Sequence, residues 1–266
     1  DRSWQHGLHQ AVEAKEGLEL SPAQATMAKI SFQRFFRLYP LLCGMTGTAA
    51  EASVELWRTY RTPVVPIPRH RPLLRVERAD EVHADADSKW AALVARVREA
   101  NRKGRPVLVG TRSVKVSEVI SLRFEQAGLT HRVLNAVHPA EEADIVALAG
   151  QRKAITIATN MAGRGTDIGL APGVPELGGL LVISAERNEL KRVDRQLFGR
   201  AGRQGDPGEA YTLSSPDDEA FEKYAKVPAR LLRWLMPSGS TRELGGPVAW
   251  LTRRFLDFAQ VRAQRR

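Results

Sequence analysis

From Arg105 to about Ser214 the apolar positions switch repeatedly between continuous short runs and helical spacing. Pro106-Val-Leu-Val-Gly110 is a fully apolar run closed by glycine and reads as a buried strand. Val116, Val119, Ile120 and Phe124 recur at helical spacing from Val116 to Ala127, and Gly128 stops that helix. Arg132 to Asn135 reads as a second strand, and Ala140 to Ala149 as a helix closed by Gly150. Ile155 to Ala158 and Gly179 to Ser184 form the third and fourth strands, Glu189 to Gly199 a helix, and Glu209 to Ser214 the fifth strand. Apolar strands between amphipathic helices predict an α/β fold, a parallel sheet covered on both faces. Such sheets bind ligands beyond the carboxyl ends of their strands. Thr111, Asn135, Thr159 and Asn160 fall at those ends.

The flanks carry a different pattern. Residues 1–62 hold a helical stretch from Leu8 to Glu16, the aromatic cluster Phe32, Phe35, Phe36 and Tyr39, and a Gly-Met-Thr-Gly-Thr turn from Gly44. Residues 62–80 contain Pro63, Pro66, Pro68 and Pro72, which exclude helix and predict an extended connector. A helix follows from Asp87 to Asn101, with Asp85 or Asp87 as its N-cap. After Pro216 helical spacing returns over Asp218 to Ala225 and Ala229 to Met236. A Pro-Ser-Gly-Ser break at 237–240 then leads into a basic amphipathic helix from Pro247 to the end.

Composition narrows the class. With 43% hydrophobic and 26% charged residues, the 266-residue chain has the balance of a globular protein. The lone Cys43 excludes an internal disulfide and a multi-thiolate metal site, and it suits a reducing cytoplasm. Six scattered histidines form no metal-binding pair, so no metal site is expected within this chain. A net charge of +10 points to an anionic partner such as nucleic acid, acidic phospholipid or an acidic protein surface. The first residues, Asp-Arg-Ser-Trp, read as the start of a fragment rather than of a gene product.

Chemistry concentrates in two segments. Gln196-Leu-Phe-Gly-Arg-Ala-Gly-Arg203 sets two arginines on adjacent positions of a short helix, with glycines keeping the surface low. Arginine recognises phosphate through a planar fork that keeps its charge, and such arginines stabilise a transferring phosphoryl group, often from a second domain. A solvated basic helix is the alternative for these residues alone. Thr159-Asn-Met-Ala-Gly-Arg-Gly-Thr-Asp167 follows the third strand, where Gly163 and Gly165 permit a tight path and Arg164 and Asp167 project from it. Gly-Arg-Gly alone is more often a plain turn. Together the segments form the pattern of the second RecA-like domain of superfamily 2 helicase-type motors. No Gly-x-x-x-x-Gly-Lys-[Ser/Thr] phosphate loop occurs in the sequence, so the chain is expected not to hydrolyse ATP at a useful rate alone.

Further segments sharpen the resemblance. Gly7-Leu-His-Gln-Ala-Val-Glu-Ala-Lys-Glu16, Phe35-Phe-Arg-Leu-Tyr39, Gly44-Met-Thr-Gly-Thr-Ala49, Ile157 to Ile168 and Leu177-Gly-Gly-Leu180 resemble the SecA family of bacterial preprotein translocase ATPases. The resemblance runs over about residues 4–225 and implies three regions. Residues 1–62 would close a first nucleotide-binding domain, 63–225 would form the RecA-like second one, and 226–266 a helical extension opening a scaffold helix. It implies ATP with Mg2+, the metal's ligands lying outside this chain. Asp167 and Arg164, with Gly163 and Gly165, would then touch nucleotide. Arg200 and Arg203 would complete the site, Gln196 would sense its state, and Thr46, Gly47 and Thr48 would couple the two domains.

The implied partners are a preprotein and the Sec membrane channel; the basic charge from Arg230 onward suits acidic phospholipid, with a solvated helix face or one packed on a further domain as the alternatives. A homodimer is allowed, nucleic acid is disfavoured, and the expected location is the cytoplasm, peripheral to the inner membrane. Departures from the family pattern are Phe198 in place of arginine, Ala185 and Asn188 in the segment usually written Thr-Glu-Arg-His-Glu, and Arg69-His70 in place of Thr-Asn. Two rival readings are a superfamily 2 nucleic-acid helicase domain, which the charge suits, and a non-catalytic binding module.

Overall fold

The computed structural model describes residues 7–22, 29–134, 139–159, 166–235 and 245–264. The chain divides into two compact units, Asp1–Thr46 with Ala52–Val64 and Gly47–Glu51 with Val65–Arg266. In the first unit lie helices α1 (Leu8–Lys15), α2 (Phe32–Phe36) and α3 (Ser53–Tyr60). Ser31 caps α2 by accepting from the Arg34 amide, and Phe35 stacks edge-on against Phe36 and Tyr39 with ring centroids 5.4 and 5.7 Å apart. The aromatic cluster read from the sequence is a local one.

The second unit holds the sheet. Its strands are β1 (Leu74–Glu77), β2 (Glu81–Val82), β3 (Val107–Thr111), β4 (Arg132–Leu134), β5 (Ile155–Thr159), β6 (Leu180–Ser184) and β7 (Pro207–Ser214). They run in the order β1-β7-β6-β3-β5-β4, with β2 also pairing with β7, and every pairing is parallel. Helices α4 (Ala86–Arg102), α5 (Val114–Gln126), α6 (Pro139–Leu148) and α7 (Lys191–Phe198) supply the crossovers. Alternate residues of each strand feed opposite layers. Val107, Val109, Ile155, Ile157 and Ile183 pack with Leu93 and Val97 of α4 and with Ile120 and Phe124 of α5. Leu108, Ala158, Leu180, Val182 and Ala210 pack with Val146 of α6 and with Leu197 and Phe198 of α7. Because both faces are covered, the strands carry continuous apolar runs, and the α/β RecA-like sheet is the expected fold.

Three local differences have physical reasons. The proline-rich connector is extended, as expected, but Leu74–Glu77 within it pairs along β7. Its side chains are mostly exposed, so it carries no apolar signature of a strand. It begins just after Pro72, where the chain regains its amide donors. Asp85, not Asp87, caps α4, accepting from Ser88 N at 2.8 Å in a capping box. Finally, α8 (Glu219–Tyr224), α9 (Lys226–Leu235) and α10 (Gly246–Gln264) bury Phe221, Leu232, Leu256 and Ala259 against Val82 and Ala84. The C-terminal helices thus share a core with the end of β2. Among the described residues no helix is long and apolar enough to cross a membrane.

Candidate functional site

The arginine motif is not helical throughout. Helix α7 ends at Phe198, and Gly199 caps it with its amide bonded to Arg195 O at 2.8 Å. Arg200 and Arg203 therefore stand on the turn that follows, contrary to their expected adjacency on one helix. The turn that follows is sterically tight. Gly202 lies at φ 69°, and a Cβ there would fall 2.5 Å from Arg75 Cβ of β1. A Cβ on Gly208 would fall 2.8 Å from Gly202 N. Only glycine lets the turn descend onto the amino ends of β1 and β7. Two arginines of the former connector clamp it, Arg75 Nη1 donating to Ala201 O at 3.2 Å and Arg71 Nη1 to Gln204 O at 2.6 Å.

This turn meets the segment after β5. Arg203 Nε donates to Gly199 O at 2.7 Å, and its Nη1 donates to Asp167 Oδ1 at 2.9 Å. Arg200 Nη1 donates to Thr166 O at 2.7 Å. Arg203 and Asp167 are partly exposed, at 36% and 48%, so their contact is open to solvent and to a ligand. Gly163, Arg164 and Gly165 lie outside the described residues, as do Asn135 and Asn160.

The arginine turn lies away from the carboxyl-end residues Thr111 and Thr159. The assembled residues sit beside the amino ends of β1 and β7, because α7 runs back across the sheet before reaching the turn. At the carboxyl ends of β3 and β5, Thr111 and Thr159 are buried, and Thr111 Oγ1 bonds to Ala158 O at 3.4 Å. The close return of α7 seats Leu197 against Gly110, where a Cβ would fall 2.3 Å from Leu197 Cδ2.

The other face of α7 contacts the threonine turn. Gln196 Nε2 donates to buried Thr48 Oγ1 at 3.3 Å, and Arg195 pairs with Glu51. That bond from Arg195 holds the Glu51 carboxyl below the usual carboxylate range. Gly47 and Thr48 belong to the same unit as the sheet, whereas Thr46 falls in the other. A Cβ on Gly47 would meet nothing within 4 Å, so space does not require glycine there.

Sequence reasoning missed a buried polar group at the start of α7. Asp194 is only 7% exposed. Its Oδ1 accepts from Asn188 N at 2.9 Å and from Asn188 Nδ2 at 2.8 Å, and its Oδ2 accepts from Gln260 Nε2 at 2.7 Å. The available signal was its place at apolar spacing between Leu190 and Leu197. The departures also find places. Ala185 is buried in the core, Asn188 belongs to this polar group, and Phe198 packs partly buried beneath the sheet. Nothing in the structure explains Arg69 and His70.

A larger buried charge group lies beyond the carboxyl ends of β6 and β7. Lys89 pairs with Asp218, and Arg112 approaches Glu186 at 3.7 Å and Glu189 at 3.2 Å. Burial, and then Asp218, raise the Glu186 carboxyl above its usual range. Among the described residues no group of three or more His, Cys, Asp or Glu side chains forms a metal-binding arrangement.

Comparison with known proteins gives two family matches. The SecA P-loop domain matches residues 72–175 and 170–235, and the SecA DEAD-like domain matches residues 2–57. "Protein translocase subunit SecA 2" of Bacillus thuringiensis (strain Al Hakam) is 51% identical over 225 residues, covering 85% of this chain and 29% of the relative. The protein of the same name from Chlorobium chlorochromatii is 47% identical over 265 residues, covering 100% of this chain and 40% of the relative. "Protein translocase subunit SecA" of Thermosipho africanus is 51% identical over 231 residues, covering 85% and 27%. The chain spans less than half the length of these relatives.

Proposed function

The chain belongs to the SecA family, and from that membership we propose that it supplies the arginine-bearing half of an ATP site in a longer motor. That motor would move preproteins through the Sec membrane channel. The observation carrying the reading is the Arg203–Asp167 contact beside Arg200 and Thr166. It brings together two segments that each suit phosphate chemistry and lie far apart in sequence.

The residues fit a triphosphate in kind. Both arginines are permanently cationic forks, and Asp167 is a partly exposed acceptor suited to a ribose hydroxyl or a bound water. Bound ATP with Mg2+ would supply the transferring phosphoryl group and part of the charge neutralisation. Arg200 and Arg203 would bind the developing charge on the phosphoryl oxygens, and Asp167 would orient Arg203 until a ligand competes for it. Arg164, with Gly163 and Gly165, would add contacts from the same loop. Gln196 would relay the state of the turn to Thr48, and the Thr46-Gly47-Thr48 turn would couple this domain to the first nucleotide-binding domain.

In this reading residues 1–62 close that first domain, 63–225 form the second, and 226–266 begin a scaffold. The phosphate loop and magnesium ligands lie outside the chain. The motor works at the cytoplasmic face of the membrane, and a homodimer is compatible with it. Lipid contact through α10 would draw on few of its cations. Arg253 donates to Asp80 O at 2.9 Å and Arg262 to Tyr224 O at 3.3 Å, so two of its cations are engaged within the fold.

The chain alone should not turn over ATP, whereas the whole protein should. ATP turnover by the purified chain at the rate of the complete motor would overturn the half-site reading.

A further inference from the structure

Helix α7 carries the arginine turn at one end and is held at the other by α10, more than sixty residues later in the chain. Gln260 of α10 is 2% exposed and uses its whole amide. Its Nε2 donates to Asp194 Oδ2 and to Asn188 O, both at 2.7 Å. Its Oε1 accepts from Arg187 Nη1 at 3.1 Å. Arg187 in turn reaches Asp80 Oδ2 at 2.6 Å and Asp257 Oδ1 at 3.1 Å. An amide with both hydrogens and its oxygen engaged has one orientation, and a satisfied buried network of this kind is rigid.

Arg253 of α10 donates to Asp80 O at 2.9 Å, away from α7, and the remaining contacts of α10 discriminate less. Leu256 and Ala259 pack with Phe221 and Leu232, and apolar packing of this sort has little directional preference. The half-exposed pair Lys191–Asp257, 3.7 Å apart, also joins α10 to α7, but exposed pairs contribute little. Burial raises the Asp194 carboxyl above its usual range, while the bonds from Asn188 and Gln260 oppose the rise. The carboxylate thus depends on these donors.

We infer that Gln260 is a positioning residue for the nucleotide half-site, fixing through Asp194 where α7 begins and hence where Gln196, Arg200 and Arg203 stand. The inference rests on the half-site reading above. α7 is a single short helix, so displacement at Asp194 is carried along it to the turn. Misplacement of catalytic groups by about 1 Å can cost on the order of 10²-fold in rate. α10 therefore acts on the site without touching nucleotide. A movement of the scaffold that α10 opens would be transmitted to the arginines by this amide.

The test uses the full-length protein containing this chain. Gln260→Met keeps the side-chain volume and removes the amide. Thr252→Val is its control, since Thr252 is equally buried on α10 but its hydroxyl bonds, among the described residues, to Val248 O of the same helix, at 2.8 Å. Gln260→Met should lower the kcat of ATP turnover about tenfold or more. KM and the affinity for a fluorescent ADP analogue should stay within about threefold, because such arginines act mainly on developing charge. Amide hydrogen exchange across residues 194–203 should quicken in Gln260→Met and stay unchanged in Thr252→Val.

Equal effects of the two variants on kcat and exchange, or no effect of Gln260→Met on either, would overturn the inference. Should Gln260→Met melt below the assay temperature, Asp194→Asn gives the same pair of outcomes, because it sets a donor against Gln260 Nε2. Arg203→Ala assayed alongside separates the two claims. Unchanged turnover there overturns the half-site reading and this inference with it. Lost turnover there, beside unchanged turnover in Gln260→Met, overturns this inference alone.

Discussion

Arg203 Nη1 lies 2.9 Å from Asp167 Oδ1, across 36 residues of sequence. Together with Arg200 Nη1 donating to Thr166 O, this contact joins the segment after β5 to the turn after α7. Since both partners are half exposed, the pair is worth little as a stabilising bridge, about 1 kcal/mol or less. Arg203→Ala should therefore leave the melting temperature within a few degrees of the parent. Thermal denaturation of the two proteins checks this, and a large fall would mean that Arg203 is mainly a structural residue.

Gly202 should be far more sensitive. Alanine there meets Arg75 Cβ at 2.5 Å and inherits a φ of 69°. Gly202→Ala is expected to destabilise the protein by about 1–3 kcal/mol. Calorimetry gives the size of the loss. Gly128→Ala is the comparison, because it has positive φ but nothing within 4 Å, and the difference between the two isolates the contact with β1.

Lys89 and Asp218 are each at most 3% exposed, and Asp218 Oδ2 also accepts from Ser215 N at 3.0 Å. Lys89→Met leaves that carboxylate buried beside Glu186 without its cation. A loss of about 3–5 kcal/mol is expected, with much of it recovered in Lys89→Met/Asp218→Asn. Urea denaturation midpoints of the two variants check the sign of the recovery.

His83 gives the clearest pH dependence. Burial, then Lys89 and Arg96, push its pKa from 6.5 down to about 4, against a smaller opposing effect of Asp85. The folded chain binds this proton less readily than the unfolded chain. Stability from the neutral imidazole is therefore fully present above about pH 6.5 and falls as pH drops toward 4, by on the order of 1–3 kcal/mol. An imidazole NMR titration should show a midpoint near 4 for His83, and a midpoint near 6.5 would contradict this.

Legibility followed the physics of each residue. Leu180–Ser184 and Val107–Thr111 were readable because strands buried on both faces must be apolar throughout. Leu74–Glu77 was not, because an edge strand with exposed side chains looks like any extended segment. The arginine motif was visible from residue type and spacing. Its position at the amino ends of β1 and β7 depended on glycine contacts such as Gly202 with Arg75, which no local pattern encodes. Gln260 was least legible of all, since its partners Asn188 and Asp194 come from another part of the chain.

The most direct test of the central claim is the kinetics of Arg200→Ala and Arg203→Ala in the full-length protein, with ATP turnover and nucleotide affinity measured on the same samples. The half-site account predicts a fall in kcat of about 10²-fold or more for each, with affinity changed by only a few-fold. Equal losses in affinity and turnover, or none in either, would contradict it.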